Sequence, residues 1–218
     1  KLKYRQLRQR QGQQLDIKEQ LTVNRIKAYY EQLGGNVYVS FSGGKDSTVL
    51  LHQVRRIYPN VPAVFVDTGL EYPEIRDFVK TIDNVIWLKP KMPFTQVIEK
   101  YGYPVISKET AQKIREVRTT KSERLKNIRL YGDDNGTYGK LSEKWKFLIN
   151  APFKISERCC HVMKKEPVKR YEKETGRSPI VGTMAADSRL RETSYLQHGC
   201  NQFEGRTMST PMAFWLEA

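Results

Sequence analysis

"VYVSFSGGKDSTVLLHQV", residues 37–54, ends one apolar run in two glycines, a lysine, an acid and hydroxyls before a second apolar run begins. Val37 to Phe41 is short, rich in β-branched and aromatic residues and bounded by glycines, which predicts a buried strand. Residues 46–57 repeat apolar side chains at helical spacing, start on Asp46 or Ser47 as a cap and stop before Pro59, which predicts a helix. The turn between them is Ser42-Gly43-Gly44-Lys45-Asp46-Ser47. Glycine lets the main chain approach an oxygen closely, and the amides at a helix start favour negative charge. Ser40, Ser42 and Ser47 add hydroxyl donors and Lys45 a point charge, so the turn reads as a mould for phosphate. A Walker loop does not fit, because the position of its first glycine is Val39 and Asp46 follows the lysine. A dinucleotide fingerprint does not fit either, since these glycines are adjacent.

The same strand-to-helix unit recurs along the chain. Upstream, Leu21, Ile26, Tyr29, Tyr30 and Leu33 predict a helix from Asp16 that Gly34-Gly35 ends. Downstream, "VPAVFVDTG" (61–69), "NVIWLKP" (84–90), "PVIS" (104–107) and "SPIVGT" (178–183) read as strands, with "YPEIRDFVKTI" and "PFTQVIEKYG" as helices between the first three. Apolar strands alternating with helices imply an α/β fold, a three-layer, Rossmann-like parallel sheet covered on both faces. Residues 1–15 are polar and basic and read as an N-terminal arm ahead of a domain over 16–218. Residues 108–150 interrupt the rhythm and read as a basic helical insert or lid, with a mobile loop around Gly132 to Gly139.

The chain has 218 residues, is 39% hydrophobic and 28% charged, and carries a formal net charge of +14. That composition suits a globular protein rather than a disordered one, and the charge favours polyanionic partners. No apolar run approaches the ~20 residues of a membrane helix, so no membrane partner is expected and a cytoplasmic location is the default. The sequence opens on Lys1, and apolar Phe214-Trp215 stand near its end, so a processed chain with more protein following is expected. Three cysteines, two of them adjacent, do not make a disulfide framework and leave the thiols for metal, cluster or redox work.

The loop "SFSGGKDS" resembles the PP-loop of the adenine nucleotide α-hydrolases, the superfamily of N-type ATP pyrophosphatases and phosphoadenylyl-sulfate (PAPS) reductases. "FVDTGLEYPE" (65–74) is similar to a second segment of the PAPS reductases. The resemblance implies that Ser40, Ser42, Gly43, Gly44, Lys45, Asp46 and Ser47 hold the phosphates of ATP or the phosphosulfate of PAPS or adenylyl sulfate (APS). It also implies that Asp67, Thr68 and Gly69 lie against the nucleotide. "VGTMAADSRLRETSYLQHGC" (181–200) is similar to the family's segment after the last strand. There Gly182 and Thr183 would close on the nucleotide, and Arg189 and Arg191 would face its phosphates. Met184-Ala185 departs from the family's basic residues, and Asp187 replaces its glutamate.

"SERCCHVMKKEP" (156–167) resembles the paired-cysteine segment of the iron–sulfur members, which implies a 4Fe-4S cluster on Cys159 and Cys160 with Cys200 as a third thiolate. Arg158, Lys164 and Lys165 are expected to lower the thiol pKa values. The family's second cysteine pair and its cysteine-bearing C-terminal tail have no counterpart in this sequence. Two enzyme chemistries stay open at this stage. A PAPS reductase-like enzyme would act in sulfur metabolism or sulfur transfer by thiolate attack on a sulfonucleotide. An ATP pyrophosphatase, with magnesium, would adenylate a nucleic acid for DNA phosphorothioation or tRNA thiolation. Lys45, Asp46, Arg189 and Arg191 are the expected catalytic residues in either. Nucleic acid, a sulfur-donor protein and a second copy of the chain are the expected partners besides the nucleotide, with the basic arm and insert as phosphate contacts.

Overall fold

A computed structural model describes residues 3–136 and 138–216. They form two compact units, the first of residues 1–88 and 168–218 and the second of residues 89–167.

The first unit is built on β1 (Val37–Ser40), β2 (Ala63–Val66), β3 (Val85–Leu88), β4 (Ser178–Val181), β5 (Asn201–Gln202) and β6 (Met208–Ser209). Their order in the sheet is β3-β2-β1-β4-β6-β5; β1 pairs with β2 and β4 in parallel, and β5 pairs with β6 antiparallel. Alternation along the strands assigns the two faces. Val37 and Val39 of β1 join Ala63, Phe65 and Ile180 in one buried cluster, packed by Ile26 of α2 (Leu15–Gln32), Leu50 of α3 (Lys45–Arg55) and Val79 of α4 (Pro73–Lys80). Tyr38 points the other way, onto Val64 and Tyr171. Helices therefore cover both faces, as the apolar strand runs require.

The terminal segments belong to this core. Residues 4–11, inside the stretch read as a basic arm, form α1 (Tyr4–Gln11), which buries Leu7 against Tyr195, Cys200 and Phe214. Arg10 donates to the Tyr195 hydroxyl at 2.6 Å. Thr22, fully buried on α2, is the knot between that helix and the C-terminal segment: its Oγ1 donates to the Pro211 carbonyl (3.3 Å) and accepts from Trp215 Nε1 (2.9 Å).

The second unit holds α5 (Phe94–Tyr101), α6 (Lys108–Thr119), α7 (Glu123–Tyr131), a 3-10 segment over Glu143–Asn150 and a π-helical turn over His161–Lys165 that runs into α8 (Glu166–Thr175). Residues 104–107, expected as a strand, do not form one. Tyr103 makes an isolated parallel bridge to Ile155, and Ile106 takes a φ of +65°. Pro104 has no amide to give a ladder, and Ser107 is taken as the cap of α6 through its bond from the Thr110 amide at 3.1 Å. The loop after α7 is closed by hydrogen bonds, Asp133 amide to Tyr138 carbonyl (3.0 Å) and Leu141 amide to Arg129 carbonyl (2.7 Å). Among the described residues no helix is long and apolar enough to cross a membrane.

Thr22→Val keeps the volume of the knot but leaves the Trp215 indole N–H without its acceptor, so it should cost about 1–3 kcal/mol. Thermal unfolding should show the melting temperature lowered by several degrees; an unchanged value would mean that the C-terminal segment is held by apolar packing alone.

Candidate functional site

Strands β1 and β4 lie side by side, and from them the chain winds in opposite directions, to β2 and β3 on one side and to β6 and β5 on the other. In an open parallel sheet the carboxyl ends of such a pair frame a crevice, because the two following loops diverge. Ser40 is in register with Val181, so the loops after both strands leave the sheet at the same level. These are the Ser42–Ser47 turn and Gly182-Thr183. Three expected site segments thus meet at one edge, the third being Asp67-Thr68-Gly69 after β2.

Two glycines are set by sterics. Gly43 has a φ of +75°, and a Cβ on it would stand 2.8 Å from Ile75 Cγ2 and 3.0 Å from Val79 Cγ2. A Cβ on Gly182 would stand 3.0 Å from the carbonyl oxygen of Asp46. The end of β4 thus rests directly on the first turn of α3.

The hydroxyls divide by role. Ser47 is buried and braces the turn: its Oγ donates to the Gly44 carbonyl (2.9 Å), accepts from the Ser42 amide (3.2 Å) and lies 3.1 Å from Ser42 Oγ. Thr48, which the sequence did not single out, donates to the same carbonyl at 3.0 Å. Ser42, Gly44 and Lys45 are exposed on the rim, while Ser40 and Thr183 are half-buried. The first-turn amides of α3 have no carbonyl four residues back within their helix, which leaves them to a ligand.

Asp67 and Thr68 are buried and already engaged. Asp67 accepts from the Gly69 amide (3.1 Å) and from Arg76 Nη2 (3.0 Å). Thr68 gives its amide (2.9 Å) and hydroxyl (2.8 Å) to the carboxylate of Glu71. Glu71 and Arg76 are the residues that sequence reading missed; the signal was an acid three residues after Thr68, a spacing that lets a carboxylate reach back to an amide. The Arg76 Nε is buried with no hydrogen-bond acceptor among the described residues.

The two expected catalytic arginines differ. Arg191 pairs with Asp187, whose carboxylate also accepts from the Met184 amide (2.9 Å). Arg189, at the start of α9 (Arg189–His198), is exposed.

Cys159 and Cys160 are in the second unit with sulfurs 4.0 Å apart. Their basic neighbours do not set the thiol chemistry of Cys159 as expected: its own burial and the adjacent Cys160 push its pKa up. Cys200 sits in the apolar cluster of Leu7, Ala185, Tyr195, Ala213 and Phe214, and burial pushes its thiol up to about 11. Among the described residues no three His, Cys, Asp or Glu side chains are gathered as a metal set. A buried, protonated thiol in an apolar cluster does not fit an iron–sulfur cluster ligand.

Residues 36–133, which include the Ser42–Ser47 turn and the Asp67 segment, match the phosphoadenosine phosphosulfate reductase domain. Over that span the chain is similar to the PAPS reductase family. An uncharacterized protein of Methanocaldococcus jannaschii is 37% identical over 94 residues, 39% of this chain and 23% of that protein. The phosphoadenosine 5′-phosphosulfate reductase of Klebsiella pneumoniae is 34% identical over 68 residues, 31% of this chain and 28% of that enzyme. The adenosine 5′-phosphosulfate reductase of Geobacillus kaustophilus is 28% identical over 83 residues, 38% of this chain and 33% of that enzyme. The chain thus spans a third or less of the length of these relatives. A solved PAPS reductase from Candida auris, in a phosphate complex, overlays 68% of this chain and 54% of its own at 16% identity, with a TM-score of 0.38.

Two outcomes follow from this packing. Gly182→Ala pushes a methyl against the Asp46 carbonyl, so it should open the β4–α3 contact, lower stability by about 1–3 kcal/mol and weaken any ligand held by the turn. A variant that melts and binds like the parent would show that the close approach is dispensable. Burial also orders the thiols: a maleimide in the native state should label Cys160 rapidly and Cys200 only after unfolding. Equal native rates at both would contradict the packing of the C-terminal segment.

Proposed function

We propose that the crevice at the ends of β1, β2 and β4 binds an adenosine sulfonucleotide through its phosphate–sulfate tail, and that the chain takes part in sulfonucleotide reduction. One observation carries this reading: the rim of exposed Ser42, Gly44 and Lys45 stands over the start of α3 at the point where the sheet's winding reverses. The unpartnered, buried N–H of Arg76, beside Asp67, supports it as a donor awaiting an acceptor. The family match over residues 36–133 supports the same ligand class.

In this reading the Ser42–Ser47 amides and hydroxyls hold the anionic tail, and Lys45 neutralises charge on the leaving nucleoside phosphate. A thiolate attacks the sulfur atom, the bond from sulfur to the phosphate oxygen breaks, and the nucleoside phosphate leaves with the electron pair. A second thiol then displaces sulfite and closes a disulfide, so the two electrons come from a dithiol. Cys200, buried in its apolar cluster, does not fit the attacking group, and a separate dithiol reductant is assigned that part. The adenylating, nucleic-acid-directed chemistry is not favoured, because several insert cations meant for phosphates are used inside the fold. Arg118 donates to the carbonyls of Leu148, Ile149, Ala151 and Phe153; Arg129 pairs with Glu116; Lys113 donates to the Lys140 carbonyl.

Thermal-shift titration with adenylyl sulfate, phosphoadenylyl sulfate and ATP tests the reading. A sulfonucleotide at 100 times its dissociation constant should add about 2.7 kcal/mol of stability. Lys45→Ala and Asp46→Ala should each weaken that binding about tenfold or more while leaving the unliganded melting temperature within a few degrees. Absence of stabilisation by either sulfonucleotide, or unchanged affinity in both variants, would remove the crevice from this role.

A further inference from the structure

The second unit contains a cavity of about 420 Å³ between the start of α6 and the segment over residues 157–166. On α6, Lys108, Gln112 and Arg115 recur at helical spacing and line one wall. Arg158, His161 or Val162, and Lys165 recur the same way and line the opposite wall. The α6 face and the facing segment over 158–165 therefore bring cations to one hollow, with Tyr101 of α5 at its side.

The charges in the cavity do not cancel. Four cations, Lys108, Arg115, Arg158 and Lys165, face two carboxylates, Glu157 and Glu166, a net of two positive charges. Both carboxylates are already occupied. Glu157 takes Arg115 bidentately, at 2.9 Å from Nε and 2.8 Å from Nη2. Glu166 is 3.0 Å from His161 Nδ1. The side chains of Lys108 and Lys165 make no hydrogen bond or ion pair among the described residues. The Arg158 guanidinium lies over the Tyr101 ring, 5.7 Å from its centroid, a contact that leaves its N–H edges available. Lys108 is also the first residue of the twelve-residue α6, where the helix field is positive.

We propose that this cavity is a binding site for a small organic phosphate or sulfate monoester. A dianionic head answers the two uncompensated charges, with Lys108 and Lys165 as its contacts and Arg158 as a third. The Arg115–Glu157 pair is a fixed part of the wall that positions the α6 face and keeps Glu157 from repelling the anion. Tyr101 and Val162 offer apolar surface to the organic part. The volume falls in the range of small-ligand cavities, roughly 300–1,000 Å³, and the two acidic side chains in the wall disfavour a long polyanion such as a duplex. No residue of this site belongs to the crevice at the ends of β1, β2 and β4.

Two-dimensional amide NMR of the whole chain, titrated with inorganic phosphate, sulfate and ribose 5-phosphate, tests the site residue by residue. Saturable shifts are expected at residues 101–115 and 157–166, with the organic ester binding more tightly than either inorganic ion and all weakening as salt rises. Lys108→Ala and Lys165→Ala should each weaken that response about tenfold, and the double variant should abolish its saturation below about 20 mM ligand. Shifts confined to residues 42–47, or saturation that survives in the double variant, would overturn the proposal. Inorganic ions that bind as tightly as the ester would also overturn it, by removing the organic part. The nucleotide crevice stands or falls on the sulfonucleotide titration instead, so the two readings fail separately.

Discussion

The backbone of Gly182 rests on the carbonyl of Asp46, and that contact sets the distance between the end of β4 and the first turn of α3. Any side chain at 182 would meet main chain rather than a movable side chain, so glycine there permits the close approach. On the far side of the turn, a Cβ on Gly43 would meet the side chains of Ile75 and Val79 of α4, and its positive φ favours glycine there. The Ser42–Ser47 turn is thus pinned from both sides by van der Waals contact. Its shape follows from how closely β4 and α4 pack against the first strand, and its open donors are a consequence of that packing.

Polar groups around the crevice are braced from within the protein. Ser47 and Thr48 share the Gly44 carbonyl, and Glu71 holds both polar atoms of Thr68. Each bond is modest in net energy, yet each buried group left unpaired would cost more than the bond contributes. The brace residues therefore sit behind the rim, and the exposed Ser42, Gly44 and Lys45 face outward. Arg76 is the exception, tied through one nitrogen to Asp67 while its Nε has no acceptor among the described residues.

The net charge of +14 is less available to polyanions than its size suggests. Arg118 closes carbonyl groups of the 3-10 segment, Arg115 and Arg129 are held by Glu157 and Glu116, and these four charged groups are largely screened from solvent. An arginine fork that satisfies several carbonyls acts as a structural clamp, and its charge is spent locally. Lys108 and Lys165, by contrast, line the walls of one cavity in the second unit.

The amino-acid sequence by itself determined the strands Val37–Ser40, Ala63–Val66 and Val85–Leu88, the helices between them and the phosphate-type turn, because local periodicity, caps and glycine spacing decide those features within a few residues. It also marked the family resemblance that the match over residues 36–133 bears out. It could not place β5 and β6, two residues each, since strands that short carry no period and exist only by pairing with an edge. It read a strand at 104–107 because apolar content was visible while the missing partner was not. Tertiary structure alone decided that Cys200 is buried in an apolar cluster and that Lys108 and Lys165 share a hollow. Those facts depend on contacts between residues far apart in the chain, and such contacts leave no mark on local spacing.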